Sequence, residues 1–266
     1  MATEDTIAAG RGRYLPDAGA FQARLRLSVA APAYNEAEGI GRVVESWRQY
    51  LASRAEVEAF EIVVCNDGSH DATGAILDAI AREHHEVRPL HFAQNQGAAA
   101  ALTAAIAATR FDWVLLTDSD GQFPIENLEP IWAAMRRLGA PAGIGTRQKK
   151  DSRFARFGTS ASGMICNWFH RSSIRDFNSA FKLAWGPLLR ALNFEAKGMN
   201  YSTEVTSRLL ECGVPIAEVA IEHRPRTSGA SSMRMIRGAT HRFLFVGYVG
   251  MRQLLFGIGV LRRPLS

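Results

Sequence analysis

Two carboxylates one residue apart stand directly after an apolar run near the middle of the chain. The run covers residues 113–116, which predicts a buried strand, and Asp118, Asp120 and Gln122 follow it. In open α/β sheets, ligands bind beyond the carboxyl ends of the strands. Carboxylate and amide oxygens suit a hard divalent cation that takes its remaining ligands from water and phosphate. The same residues also suit an Asp-rich turn, so this stretch by itself leaves a metal site and a plain turn equally open.

The elements that must position these side chains alternate between strand and helix. The periodicity predicts strands at 27–32, 60–65, 87–93, 113–116, 142–146 and 216–221, and a turn and strand within 176–185. It predicts helices at 40–51, 71–82, 98–108 and 201–212, and a further helix that begins at Pro124. Strands and helices in this order are typical of βαβ units, so we expect an α/β fold with a mostly parallel sheet.

A polar cluster follows each of the first four predicted strands. The clusters are Tyr34–Glu36, Asn66–Asp67, Asn95 and Asp118–Gln122. Because the carboxyl ends of parallel strands meet at one edge, we expect a polar ligand to lie across that edge. Asp67 could instead cap a helix, and Glu36 could interact with a helix dipole. The glycines form neither GxGxxG nor a P-loop, which disfavours an ordinary dinucleotide fold or an NTPase.

Composition sets wide limits. The 266 residues are 47% apolar and 21% charged, which is ordinary for a folded protein. Three widely spaced cysteines without a CxxC pattern indicate reduced cytosolic thiols. Residues 1–26 lack an apolar core, so we interpret them as an N-terminal arm and not as a signal peptide. No Pro/Gly linker divides the remainder, so we expect one domain over residues 27–232.

The C-terminal segment, residues 233–266, is basic and apolar. Glu222 is the last acidic residue, and eight arginines follow it among many apolar side chains. This pattern favours an amphipathic helix lying on an anionic membrane surface. A helix packed on the domain is the alternative, and a membrane span is disfavoured because Arg252 would lie at its centre. No nucleic-acid motif accompanies the net charge of +5, so we expect no nucleic-acid partner.

With these stretches in view, the chain resembles the family 2 glycosyltransferases of GT-A fold. Within them it is similar to the branch of dolichol-phosphate mannose synthase and other polyprenyl-phosphate glycosyltransferases. The stretches that carry the resemblance are Pro32–Glu36, Asn66–Thr73, Asp118–Gln122, Arg175–Lys182 and Arg224–Ser231. The chain departs from the branch pattern at Ser232, where a lysine is usual, at Ala180, where glycine is common, and at Ala98, where a basic residue is common.

The resemblance implies a role for each of these stretches. It implies nucleotide-sugar binding by Pro32, Tyr34, Glu36, Asp67, Asp118 and Ser119. It implies that Asp118, Asp120 and Gln122 hold Mg²⁺ or Mn²⁺ on the diphosphate. It implies contacts to an acceptor phosphate from Arg147, Arg156, Arg224, Arg226 and Ser231, with Asp120, Arg147 and Arg226 taking part in catalysis.

The chemistry of the side chains agrees with a phosphate acceptor. A phosphate monoester is already largely anionic at neutral pH, so it needs positioning by arginine more than deprotonation. A hydroxyl acceptor on a lipid or a glycan would need a general base, for which Asp176 or Glu204 is available. A third alternative, from another class, is a non-catalytic partner protein that binds a nucleotide sugar.

The expected activity is therefore inverting, metal-dependent transfer of a hexose from a GDP- or UDP-sugar to a polyprenyl phosphate. We expect the enzyme to be cytoplasmic and peripherally bound to the cytoplasmic membrane. A homo-oligomer and a separate membrane partner both remain open as further partners.

Overall fold

The computed structural model describes residues 14–147, 163–195, 200–225, 235–258 and 260–261. The strands are β1 (Leu25–Ala33), β2 (Val57–Asn66), β3 (Val87–His91), β4 (Trp113–Leu116), β5 (Ala142–Arg147), β6 (Lys182–Trp185) and β7 (Ile216–Ile221). The helices with defined bounds are α1 (Ile40–Ser53), α2 (Thr73–Glu83), α3 (Ala98–Ala108), α4 (Leu128–Leu138), α5 (Gly186–Ala191), α6 (Tyr201–Glu211) and α7 (Met235–Gly257). Residues 163–170 are also helical.

The strands form one seven-stranded sheet in the order β3-β2-β1-β4-β6-β5-β7. Strand β6 runs antiparallel to its neighbours β4 and β5, while the other pairings are parallel. The predicted α/β fold with a mostly parallel sheet is confirmed. Because β6 is reversed, its first residue, Lys182, pairs with Leu116 at the carboxyl end of β4. The carboxyl ends of six strands and the amino end of β6 therefore lie at the sheet edge where polar clusters were expected.

The sequence periodicity explains how the helices cover the sheet. In α1 the buried residues Ile40, Val44, Trp47 and Leu51 recur at helical spacing and form one face. Helix α3 is rich in alanine, a strong helix former, and its buried residues pack on β1 and β2. The short side chains let this helix lie close to the sheet, so the turn before it is held at the sheet edge.

Three local features differ from the expectations. The part of residues 1–26 that the structure describes includes a 3-10 helix, Ala18–Phe21, whose Phe21 ring lies 5.3 Å from the Trp113 ring. Pro124 is followed by a second 3-10 helix, Ile125–Asn127, and α4 begins only at Leu128. Pro124 itself has an extended ψ of 135°, so it cannot be the first α-helical residue. Helix α5 was not predicted. The division of residues 1–26 from the domain as an N-terminal arm stays a prediction.

Helix α7 packs against the domain on one side. Val246 and Val249 are buried, and Gly250 lies so close to Phe169 that an added Cβ would stand 2.3 Å from its ring. Arg252 reaches Glu211 of α6 at 3.2 Å. In the parts of the chain that the structure describes, no helix is long and apolar enough to cross a membrane.

Candidate active site

Hydrogen bonds join the loop after β1 to the loop after β2. Asn35 has a φ of 54°, and its backbone N–H donates to Oγ of Ser69 at 3.0 Å. The backbone N–H of Glu36 donates to Oγ1 of Thr73 at 2.9 Å, and Ala37 donates to Asp71 at 3.0 Å. The second polar cluster therefore fixes the path of the first, which places the buried Glu36 beside the exposed Tyr34 at the sheet edge.

Asp67 braces the loop that follows β3. Its carboxylate is 2% exposed and accepts hydrogen bonds from Gln96 N at 2.7 Å, Gly97 N at 2.9 Å and Asn95 Nδ2 at 2.9 Å. Gly68 beside it has a φ of 65°, and a Cβ there would lie 2.4 Å from the backbone of Gln94. A side chain is therefore excluded at Gly68. Asp67 caps the entry to α3 and not the helix after its own strand, α2.

The loop after β4 is tied to two other strand ends. Oγ of Ser119 donates to the carbonyl oxygen of Pro32 at 2.7 Å. Nε2 of Gln122 donates to the carbonyl oxygen of Arg224 at 3.2 Å, and the backbone N–H of Arg224 donates to Gln122 O at 2.8 Å. Gly121, with a φ of 76°, makes the turn between them. These contacts bring the ends of β1, β4 and β7 to one place.

Asp118 and Asp120 lie half-buried in this loop. Burial, together with the neighbouring charge of Asp120, raises the pKa of Asp118 to about 6. The hydroxyl of Tyr201 donates a hydrogen bond to Asp118 Oδ1, which opposes that rise, as do the charges of Lys182 and Arg147. The two carboxylates therefore repel each other in a partly desolvated loop, an arrangement that a bound cation would relieve.

A second group of charges lies next to the two carboxylates. Arg147, at the end of β5, donates to the buried Asp176 through Nε at 2.8 Å and Nη2 at 3.0 Å. Lys182 is 1% exposed and donates from Nζ to the carbonyl oxygen of Ser179. Burial and the charge of Arg147 lower the pKa of Lys182 to about 7, against the opposing charges of Asp176 and Asp118. Acidic and basic side chains thus alternate across the ends of β4, β5 and β6.

The donor set fits a divalent cation that is shared with a phosphate ligand. Within the described ranges, no three His, Cys, Asp or Glu side chains form a metal cluster. Asp118, Asp120 and the side-chain carbonyl of Gln122 supply hard oxygen donors, fewer than a hard cation requires. A diphosphate would have to complete the coordination sphere. This is the usual arrangement for Mg²⁺ at nucleotide sites.

Most of the predicted site residues meet at this edge. Pro32, Tyr34, Glu36, Asp67, Asp118, Ser119, Asp120, Gln122, Arg147 and Arg224 all stand at strand ends or in the loops that follow them. Arg224 is exposed, and its Nε lies 2.8 Å from Oε1 of Glu222. Arg156, Arg226 and Ser231 lie outside the described residues. The assigned roles of all these residues stay predictions.

Two side chains at the site carry no strong sequence signal. Tyr201 begins α6, and a tyrosine at a helix start predicts nothing about chemistry. Lys182 belongs to the Arg175–Lys182 stretch of the resemblance, which was the one signal that could have found it. Its place at the edge follows from the antiparallel direction of β6. If β6 ran parallel to β4, Lys182 would lie at the opposite edge of the sheet.

The fold and the acidic loop define a class: an α/β protein with the GT-A type of sheet. The chain belongs to the family described as Glycosyl transferase family 2, whose sequence profile matches residues 28–190. A solved structure with the same fold is glucosyl-3-phosphoglycerate synthase of Mycobacterium tuberculosis in complex with Mn²⁺, UDP-glucose and glycerol 3-phosphate. It has a TM-score of 0.56 at 20% identity, and the match covers 98% of this chain and 86% of that one.

Curated relatives share parts of their length with this chain. Glycosyltransferase AglD of Haloferax volcanii is 28% identical over 235 residues, which is 86% of this chain and 37% of AglD. The undecaprenyl-phosphate 4-deoxy-4-formamido-L-arabinose transferase of Pseudomonas fluorescens is 28% identical over 228 residues, which is 79% of this chain and 61% of that protein. The chain therefore spans less than two thirds of the length of either relative.

Proposed function

We propose that the protein transfers a hexose from a nucleoside-diphosphate sugar to a polyprenyl phosphate with inversion at the anomeric carbon. The observation that carries this proposal is the meeting of Asp118 and Asp120 with Arg147 and Lys182 at one sheet edge. Acidic oxygens there suit a cation on a diphosphate, and the adjacent basic groups suit a second phosphate. The undecaprenyl-phosphate relative supports a lipid phosphate as the acceptor.

The proposed reaction is a single displacement. An oxygen of the acceptor phosphate attacks C1 of the sugar, and the bond from C1 to the diphosphate breaks. The electron pair of that bond leaves with the nucleoside diphosphate. A bound Mg²⁺ or Mn²⁺ would stabilise the charge that develops on this leaving group. Asp118 and Asp120 would hold the cation, while Arg147 would orient the acceptor phosphate.

A hydroxyl acceptor is the second candidate, and the two carboxylates that could serve as its base are both engaged. Asp176 accepts two hydrogen bonds from Arg147. Oε1 of Glu204 accepts from Arg208 Nη2 at 3.0 Å and from the backbone N–H of Glu195 at 2.8 Å. Because these hydrogen bonds occupy oxygens of both carboxylates and hold the side chains in place, they support a phosphate acceptor over a hydroxyl acceptor.

Nucleoside diphosphate release tests the acceptor directly. The protein is incubated with Mn²⁺ and a panel of UDP- and GDP-hexoses, with and without polyprenyl phosphate. We expect release above the hydrolysis background only with polyprenyl phosphate, and only when the divalent cation is present. Release that requires a lipid hydroxyl would establish the second candidate instead. Tight sugar-nucleotide binding without any release would indicate a non-catalytic binding protein.

The exposed face of α7 supports a place at the membrane surface. Met251, Leu254 and Ile258 follow one another at helical spacing and are 57%, 54% and 71% exposed. They lie on the side away from the buried Val246 and Val249. The chain carries no acidic residue after Glu222, so nothing in this segment would repel an anionic lipid surface. These features support our proposal that the protein associates peripherally with an anionic membrane surface.

Substituting both Met251 and Leu254 with aspartate should weaken this association. Each exposed side chain that enters the lipid contributes on the order of 1.5–3 kcal/mol, so we expect at least a roughly tenfold loss in partition onto anionic vesicles. Co-sedimentation with vesicles of anionic phospholipid measures it. Leu138→Asp, at an equally exposed leucine of α4, is the matched control and should bind as the wild type does. Equal sedimentation of all variants would refute this face as the docking surface.

A further inference from the structure

A tyrosine from a distant part of the chain contacts the acidic loop. The hydroxyl of Tyr201 donates a hydrogen bond to Oδ1 of Asp118, across 83 residues of sequence. Tyr201 is the first residue of α6 and is 7% exposed. We propose that Tyr201 is a positioning residue, which holds the Asp118 carboxylate in the orientation that binds the divalent cation. This inference rests on the proposed metal-dependent function.

The hydrogen bond restricts a torsion that is otherwise soft. The carboxylate of an aspartate turns easily about χ2, because that torsion has broad minima. A donor fixed on Oδ1 stops this rotation and leaves Oδ2 of Asp118 for the cation. Partners of this kind are worth about 10- to 100-fold in metal affinity at known sites. A neutral phenol also suits the position, because it orients the carboxylate without adding a positive charge that would repel the cation.

Helix α6 makes Tyr201 a rigid partner. Residues 201–209 and Glu211 are buried, so the helix is surrounded by protein on nearly all sides. At its far end, Arg208 donates to Glu204 at 3.0 Å and to Glu211 at 3.3 Å. Arg252 of α7 donates to the same Glu211 carboxylate at 3.2 Å. The pairs within α6 stabilise the helix, and the Arg252–Glu211 pair ties its end opposite Tyr201 to α7, so the phenol is held in place if the Asp118 side chain turns away.

Lys182 does not replace this contact. Its Nζ donates to the carbonyl oxygen of Ser179 and acts on Asp118 only through its charge. A charge at a distance stabilises the ionised carboxylate but does not select one rotation of its two oxygens. Among the described side chains, the hydroxyl of Tyr201 is the one hydrogen-bond donor recorded on the Asp118 carboxylate. Tyr201 is therefore the group through which the fold sets the direction of this metal ligand.

The test compares Tyr201→Phe with Tyr248→Phe in the full chain. Tyr248 is the matched control, because its hydroxyl also donates to a carboxylate, that of Glu195, on the exposed side of the protein. Binding of Mn²⁺ is followed by the electron paramagnetic resonance signal of the free ion, with UDP or GDP at a fixed concentration so that a diphosphate can complete the coordination sphere. We expect Tyr201→Phe to weaken Mn²⁺ binding about 10- to 100-fold and Tyr248→Phe to leave it unchanged.

A second readout separates positioning from general damage. In the transfer assay, saturating Mn²⁺ should restore the kcat of Tyr201→Phe, because the chemistry itself does not use the phenol. A kcat that stays low at saturating Mn²⁺ would overturn the positioning role. Equal Mn²⁺ affinity in Tyr201→Phe and the wild type would overturn it as well and leave the proposed function standing. Failure of the wild type to bind Mn²⁺ even with a nucleoside diphosphate present would overturn both the positioning role and the proposed function.

Discussion

Replacing Asp120 with alanine is expected to lower kcat for sugar transfer by about 10²- to 10⁴-fold. The variant loses one of the two carboxylates that we propose hold the cation on the leaving diphosphate. Charge stabilisation by such an ion is worth several kcal/mol, and each 1.36 kcal/mol corresponds to a factor of about ten in rate. Nucleoside diphosphate release at fixed Mn²⁺ measures the change. Binding of the nucleotide without metal should be unaffected, since Asp120 acts through the cation.

Two further variants, Asp120→Asn and Asp112→Ala, are compared with Asp120→Ala. Asp120→Asn keeps the oxygen that accepts the 3.0 Å hydrogen bond from Gln122 N and removes only the charge. It should lose nearly as much activity as Asp120→Ala, because the charge and not the turn is what the cation requires. Asp112→Ala removes an aspartate at the other end of β4, where it pairs with Arg26 at 3.6 Å, and should retain wild-type kcat. Full activity in Asp120→Asn would show that the loop does not serve a metal-dependent reaction.

Substituting Asp67 with asparagine is expected to lower both stability and nucleotide affinity. The buried carboxylate of Asp67 accepts three hydrogen bonds. In the variant, the NH₂ group of the amide would face some of these N–H donors and could not accept from them. Hydrogen bonds to a charged group are worth about 1.5–3 kcal/mol, and we expect a total loss of about 2–4 kcal/mol in the free energy of unfolding. Each kcal/mol shifts Tm by about 2–4 °C in a protein of this size, so thermal unfolding detects it readily.

The temperature at which nucleotide binding is measured separates the two roles of Asp67. Well below Tm, a residue that only braces the Asn95–Gly97 turn should leave nucleotide affinity near the wild-type value. If Asp67 also contacts the base, Asp67→Asn should lower nucleotide affinity even well below Tm. This is the result we expect. Asp78→Asn, at an exposed aspartate 3.1 Å from His91, is the control for the loss of a carboxylate from the same region. An unchanged Tm in Asp67→Asn would contradict the bracing role.

A comparison of predicted and observed strands shows how much of the fold the sequence pattern predicts. The apolar runs that became β1, β2 and β4 predict buried strands because they are short, bounded by turn residues and rich in branched side chains. The alternation with helices predicts a parallel sheet, and that prediction is confirmed. Bounds moved by one to three residues, as at β2, which begins at Val57 instead of residue 60. Such shifts arise because strand pairing extends a strand beyond its apolar run.

Other features depend on the partners that a residue meets. Base binding by Asp67 stays a prediction, but the alternative, a cap on the helix after β2, is wrong because the carboxylate braces the turn before α3. Arg252 was placed at the centre of an apolar segment, and it is held by Glu211 and Glu195 from the body of the protein. Neither contact has a local signal, because each joins residues more than 25 positions apart in the sequence.

Local sequence patterns were sufficient to predict the class of fold, the acidic loop after β4 and the convergence of polar clusters on one sheet edge. These follow from local periodicity and from the rule that parallel strands end on the same side. The antiparallel direction of β6, which brings Lys182 to the end of β4, became evident only from the folded chain, as did the placement of α6, which brings Tyr201 to Asp118. Strand direction and helix placement depend on how the whole chain buries its apolar faces, which no single stretch of residues encodes.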